Sequence, residues 1–197
     1  MTSVRHRTPS VEIEDAVVAA ALRLLDRAGP SALTVRGLAA EAGIAPMGIY
    51  NHFGDKNGVI DVVFRMGFDV LTEAVSHADA VADPLEAIRV GLAAYRAFAL
   101  AHPTTYAVMF LREVPAYEPS EQSLLAATES FGVLVRTVDR AMHVGVMRPD
   151  DPREVAQQLW SAAHGAVALE LAEMCLVDDP GSTFNALLET MLSGLVG

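Results

Sequence analysis

The chain has 197 residues, 52% of them hydrophobic, and carries a formal net charge of −11. That length suffices for a sizeable core, and the sequence favours a small module on a larger helical body; no apolar run approaches the roughly 20 residues needed to span a bilayer. The single Cys175 excludes an intramolecular disulfide and the opening MTSVRHRTPS lacks the apolar segment of a signal peptide, so a reducing cytoplasm and no membrane association are expected.

Ala and Leu dominate a pattern of helix-period apolar stripes without strand-like alternation, which predicts an all-α fold of about nine helices. The first spans about 11–28, with Val17, Ala21, Leu24, Leu25 and Ala28 on its apolar face. A second, about 35–42, turns Leu38, Ala39 and Ala42 inward and ends where Gly43 supplies the backbone freedom to leave the helix. A third, about 46–52, opens at Pro46, tolerated in a first turn because its missing N–H has no partner there, and directs Ile44, Ile49 and Phe53 inward. A long fourth helix from Lys56 to about Ala78 joins this head to the body. Asp83-Pro84 opens a fifth, which ends before His102-Pro103 because proline disfavours helical geometry in the residue ahead of it; a short sixth reaches about Leu111. The two prolines of residues 113–119 read as loop, and Ser120 precedes a seventh helix to about Val144. Pro152 suits the first turn of an eighth, predicted to run to about Cys175 before the breaker at residues 178–181. The ninth starts at about Ser182, with Phe184, Leu187, Leu188, Met191, Leu192 and Leu195 forming a broad apolar face.

Two short helices joined at Gly43, the second amphipathic, have the form of a DNA-reading helix-turn-helix whose third helix is the reader. A net charge of −11 argues against nucleic acid until its distribution is considered. Residues 1–65 hold seven basic and seven acidic side chains, whereas residues 66–197 hold seven arginines against eighteen acids. The acidic body repels stray DNA and leaves contact to a neutral head whose cations lie at its arm and turns, among them the only lysine, Lys56.

The amphipathic first helix, then Leu33-Thr34-Val35-Arg36, Ala42-Gly43-Ile44 and Ile49-Tyr50-x-His52-Phe53-x-x-Lys56, resemble in order and spacing the N-terminal signature of the TetR family of one-component bacterial transcription regulators, over roughly residues 12–60. Farther along, Trp160 with His164-Gly165, and the run from Tyr95 through His102-Pro103, resemble a TetR C-terminal subfamily marked by a Trp-His-Gly signature. The resemblance implies a DNA-binding domain at residues 1–55 and an effector-binding and dimerisation domain at residues 56–197. It also implies a double-stranded DNA operator and a small-molecule effector as partners, a homodimer paired through the last two helices into a four-helix bundle, and repression as the sign of control.

Thr34 stands where a helix N-cap is expected, and its hydroxyl either satisfies an orphan backbone N–H or reaches a DNA phosphate. Arg36 at the start of that helix faces the duplex in the resemblance and is otherwise a solvated arginine. For Tyr50 a packed ring with its hydroxyl outward is the ordinary reading, and the resemblance adds a phosphate contact, as it does for His52. Lys56 begins the fourth helix, where its ammonium and the backbone N–H groups together favour an anion. Base reading falls to Met47, Gly48 and Asn51: Asn pairs with adenine in bidentate fashion and Met lies against a thymine methyl. Two departures from the family pattern stand out. Ala45 occupies a place where a capping Ser is frequent, and Gly48 one where Thr, Ser or Ala is frequent; an interior Gly costs a helix about 0.5–1 kcal/mol relative to Ala.

In the body, Met66, Tyr95, Phe98, Tyr106, Met109, Phe110, Phe131, Trp160 and His164 are candidates to line an effector cavity for a mostly apolar molecule, although Met and aromatic residues at helical spacing are more often ordinary core. No glycine-rich phosphate loop, HExxH or zinc-spaced Cys/His cluster occurs, so neither an enzyme nor a cofactor or metal is expected. Glu170 and Glu173 share a face with His164, yet such a trio is usually a solvated stripe. The other class kept open is a helical ligand-binding or interaction protein with a degenerate DNA-binding head, which Ala45 and Gly48 sustain.

Overall fold

The computed structural model describes residues 10–111, 114 and 117–196. The described chain is helical throughout: α1 (Ser10–Ala28), α2 (Val35–Ala42), α3 (Pro46–Phe53), α4 (Lys56–Ser76), α5 (Pro84–Ala101), α6 (Pro103–Phe110), α7 (Glu121–His143), α8 (Pro152–Leu171) and α9 (Pro180–Leu195), with 3₁₀ turns at Pro30–Ala32 and His77–Ala80. The predicted all-α class and the nine helices are thus observed, and among the described residues the only β pairing is a single antiparallel bridge between Met147 and Val196. No described helix is long and apolar enough to cross a membrane.

A recurring Asp-Pro pair starts three of the body's helices, α5, α8 and α9. Asp83, Asp151 and Asp179 each accept a backbone N–H of the first turn, from Leu85 and Glu86, from Arg153 and from Ser182 respectively, while the following proline supplies a preset φ. This moves the start of α9 ahead of the predicted Ser182, because Asp179 and not Ser182 is the cap. The end of α8 also departs from expectation, at Leu171 instead of about Cys175. Glu173 adopts φ 55°, and the N–H groups of Glu173 and Met174 return to the carbonyls of Glu170 and Leu169. That closure ordinarily uses glycine, so no residue type announced it.

By contact the chain forms two compact units, residues 1–67 with 104–124, and residues 68–103 with 125–197. In the first, Val17, Ala20, Ala21, Leu24 and Leu25 of α1 are buried along with Leu33, Leu38, Ile49, Val59, Ile60 and Tyr106. The close approach of α4 and α6 needs Gly67, where a Cβ would lie 2.5 Å from Met109 Sδ. In the second unit, Ile88, Leu92 and Ala99 of α5, Val155, Ala156, Leu159 and Val167 of α8, and Phe184, Leu188 and Leu192 of α9 are buried. Half of the broad apolar face read on α9 is therefore used within the chain, with Leu187, Met191 and Leu195 half-buried, and Arg89 of α5 brackets it through a two-pronged ion pair to Glu189 at 2.6 and 3.0 Å.

Candidate functional site

The turn between α2 and α3 is built by Gly43 at φ 70°, whose N–H, with that of Ile44, returns to the carbonyls of Ala40 and Ala39. An L side chain is strained at that φ, so glycine here is a backbone requirement. At the other end of α2, Thr34 Oγ1 accepts the Gly37 N–H at 3.0 Å. The hydroxyl keeps its own hydrogen to donate, so capping and a phosphate contact are compatible and not alternatives. Gly37 makes room for this cap, since a Cβ there would meet Ala32 O at 2.9 Å and Thr34 Oγ1 at 3.1 Å.

On α3, Ile49 is completely buried, whereas Met47 is 63% and Tyr50 52% exposed, with Asn51 and His52 also exposed. Met47, Tyr50 and Asn51 are spaced i, i+3, i+4 and share one outward stripe; Gly48 and His52 form the stripe beside it. Tyr50 is more exposed than a core-packed ring would be. Ala45 precedes α3 without any side-chain cap. A Cβ on Gly48 would lie 3.1 Å from Ile44 Cδ1, so the glycine accommodates Ile44 as well as thinning the outward face.

Lys56 and Arg36 are exposed and enter no ion pair among the described residues, unlike the head's other described cations. Arg23 and Arg27 both bind Glu41 at 2.8 Å, clamping α1 to α2, and the Arg23 hydrogen bond followed by that of Arg27 holds the Glu41 carboxyl below its ordinary range. Arg65 lies 3.5 Å from Glu14. The arm cations Arg5 and Arg7 lie outside the described residues. The helix-start N–H groups expected to help Lys56 favour an anion are not all available: those of Asn57 and Gly58 are taken by Asp55 Oδ1, at 2.8 and 3.0 Å. Asp55 is the anion at that helix start, which leaves Lys56 its exposed ammonium.

The joint between α3 and α4 is tight. Gly54 ends α3 at φ 77°, and a Cβ on Gly58 would fall 1.8 Å from the Phe53 carbonyl oxygen, so only glycine lets α4 begin against the end of α3. Gly37, Gly58, Asp55 and Glu41 all shape this surface and were missed in the sequence, where a glycine's clash partner and an acid's cationic partner are both invisible.

Comparison with known proteins settles what carries this head. Residues 17–63 match the tetR family of bacterial regulatory proteins, and residues 88–191 match the tetracyclin repressor-like C-terminal domain. The chain belongs to the TetR family of bacterial transcriptional regulators. The HTH-type transcriptional regulator Mb1846 of Mycobacterium bovis is 23% identical, over 97% of this chain and 95% of its own. A protein of unknown function from Rhodococcus sp. RHA1 superposes with a TM-score of 0.84 at 26% identity over all of both chains. AibR, in complex with isovaleryl coenzyme A and operator DNA, shares the fold with a TM-score of 0.66 at 20% identity, over 93% of this chain and 98% of its own. This chain is accordingly a TetR-family DNA-binding, ligand-responsive regulator, of a family whose members typically act as dimers.

The effector candidates of this TetR-family chain separate into two groups. In the first unit, Tyr106 is fully buried with its ring 4.9 Å from that of Phe110, Met109 packs against Gly67, and Met66 is half-buried. In the second, a chain of rings crosses three helices. Phe131 of α7 lies 5.8 Å from Trp160 of α8, Trp160 lies 5.6 Å from His164, and His164 Nδ1 is 2.9 Å from the Tyr95 hydroxyl of α5. Burial lowers the His164 pKa, which favours neutral imidazole. Phe98 is buried beside His102, 5.2 Å between centroids. Glu170 is held by Arg96 at 2.6 and 2.8 Å, and the Arg96 guanidinium also lies 5.7 Å from the centroid of the Phe184 ring, so α5, α8 and α9 meet in one polar knot. Glu170 is thereby engaged, and the described residues hold no group of three metal-ligating side chains.

Proposed function

We propose that the protein is a homodimeric repressor that reads a palindromic operator in the cytoplasm and leaves it when a small, mostly apolar effector binds. The observation that carries the DNA-reading part is α3, where Met47, Tyr50 and Asn51 share an exposed stripe while Ile49 between them is wholly buried. Residues 1–55 form the contacting domain in this reading. Thr34, Arg36, Tyr50, His52 and Lys56 hold phosphates and orient the protein, while Met47, Gly48 and Asn51 meet base edges.

Residues 56–197 sense the effector and dimerise. The chain of rings from Tyr95 through His164 and Trp160 to Phe131 supports an apolar effector with one polar group, and AibR, similar in fold, binds both isovaleryl coenzyme A and operator DNA. Trp160 with His164-Gly165 further supports a place in the Trp-His-Gly subfamily. For the dimer contact on the last two helices, support comes from the outward side: Leu169 of α8 and Met174, Leu176 and Val177 of the α8–α9 connector are exposed in the single chain.

Selection of bound fragments from random duplex DNA tests the reading. An inverted repeat should be enriched, and affinity for it should fall steeply as salt rises, because phosphate contacts release counterions. Enrichment of no inverted repeat, with ligand binding retained, would instead favour a helical ligand-binding protein with a degenerate head, for which the uncapped Ala45 speaks.

A further inference from the structure

Two helix starts on the candidate DNA surface are capped by different chemistry. At the start of α2 the cap is a neutral hydroxyl: Thr34 Oγ1 accepts the Gly37 N–H at 3.0 Å and keeps its own hydrogen to donate. At the start of α4 the cap is a carboxylate: Asp55 Oδ1 accepts the N–H groups of Asn57 and Gly58 at 2.8 and 3.0 Å. A carboxylate has no hydrogen to give, so it offers an incoming phosphate only like charge. Both caps lie in the first compact unit.

Asp55 is exposed and stands between two of the candidate phosphate contacts, His52 and Lys56. It enters no ion pair among the described residues, whereas Glu41 is held by Arg23 and Arg27 and Glu14 lies against Arg65. No cation of the described head therefore takes up its charge. The corner that carries it has little freedom, because Gly54 closes α3 at φ 77° and Gly58 lies against the Phe53 carbonyl. Consecutive Cα atoms are about 3.8 Å apart, so a phosphate gripped by Lys56 lies within about one Debye length, ~10 Å at 0.1 M salt, of the Asp55 carboxylate.

A helix start ordinarily attracts such a phosphate through its free N–H groups and dipole; at α4 the chain supplies its own anion instead. We infer that Asp55 restrains DNA affinity: its carboxylate fills the anion position at the start of α4 and repels the phosphate that Lys56 attracts, so the head binds every duplex more weakly than its cations alone allow, without changing which bases are read. Thr34 caps α2 without charge and leaves that helix start open to phosphate. The restraint acts in the same direction as the acidic residues 66–197, which hold seven arginines against eighteen acids, and limits the occupancy of random DNA.

This inference rests on the proposed DNA contact of the head. The test exchanges the two cap chemistries in the full-length protein and measures binding to the selected operator and to random duplex across a salt series, for wild type, Asp55→Asn, Asp55→Ser, Asp55→Glu and Thr34→Asp. Asn and Ser cap about as well as Asp, so thermal midpoints of the first two variants should stay close to wild type. At about 0.05 M salt, Asp55→Asn and Asp55→Ser should bind both duplexes about three- to tenfold more tightly, and at about 0.3 M within about twofold of wild type, with a salt dependence steeper by up to about one per head. The ratio of operator to random affinity should stay within about twofold of wild type. Asp55→Glu keeps the charge and should bind no more tightly than wild type, and Thr34→Asp should weaken binding to both duplexes by about tenfold. Should one neutral variant fail to fold, the other decides. Unchanged or weaker binding by folded Asp55→Asn and Asp55→Ser overturns the inference, as does a gain that persists undiminished at high salt, which would mark cap geometry and not charge, or a gain on the operator alone, which would mark base reading. If wild type selects no repeat yet binds random duplex, the random-duplex arm decides alone; if it binds no duplex, the functional reading falls first and this inference with it.

Discussion

The helix-turn-helix head and the body's α8–α9 region obey different physical constraints. In the head, single positions are imposed by backbone geometry: Gly43 at φ 70°, Gly54 at φ 77°, and Gly58, whose missing Cβ leaves room for the Phe53 carbonyl. In the body, the same constraint is spread over exchangeable apolar side chains, so which face of a helix points inward is decided by packing and not by any one residue. Of the face of α9 read as apolar, Leu188 and Leu192 are each 2% exposed and Phe184 is buried with them, while Leu187, Met191 and Leu195 are half-buried; Leu169, Met174, Leu176 and Val177 are exposed apolar groups of the same region. A recognition surface is therefore sharply specified in the head and diffusely specified in the body.

The largest effect separates these two faces of the body. Leu188→Glu with Leu192→Glu places two unpaired charges in the core and should unfold the protein, at a cost on the order of 5 kcal/mol or more. Leu169→Glu with Leu176→Glu should instead leave a folded, helical monomer. Circular dichroism and sedimentation together check both, and a folded dimer from the second pair would move the interface off this surface. Next in size, Gly58→Ala should destabilise the head by about 3 kcal/mol in spite of alanine's better helix propensity, because the added methyl meets backbone and not a flexible side chain. A thermal unfolding midpoint equal to wild type would contradict the tight corner between α3 and α4.

Within the head, positioning and reading should also part. Tyr50→Phe and Lys56→Ala should weaken binding to every sequence alike, whereas Asn51→Ala should relax preference at one base pair and cost about 1–3 kcal/mol there. Titration against the selected operator and single-base variants distinguishes the two patterns. The smallest expected effect lies in the body. His164 has a lowered pKa in the fold through burial, so stability is full above its ordinary value of 6.5 and declines as pH falls through that value toward the lowered one. His164→Gln should remove this part of the pH dependence, measured by denaturant unfolding at pH 5 to 8.

Much of the fold was legible because its signals are local. Asp-Pro pairs, Gly43, Pro46 and helix-period stripes mark most helix starts and stops within a few residues. The exceptions have a common cause: α8 closes at Glu173 in a conformation usually given to glycine, and α9 is capped by Asp179, which as one of two adjacent aspartates did not identify itself. The exposure of Met47, Tyr50 and Asn51 was legible, because it follows from helical spacing around Ile49, and that of Lys56 from its place at the start of α4. What was not legible is every partnership across long sequence separation. Glu41 with Arg23 and Arg27, Asp61 with Tyr117 and Ser120, and Tyr95 with His164 depend on which helices pack together, and no spacing rule reaches that far.

The most direct test of the account is selection from random duplex DNA by the purified full-length protein, followed by binding to the winning sequence across a salt series. The account predicts one enriched inverted repeat, an affinity for it at least about a thousandfold above that for random DNA, and a steep decline with salt. Equal affinity for random and selected duplexes, or no shared repeat among the selected fragments, would contradict it.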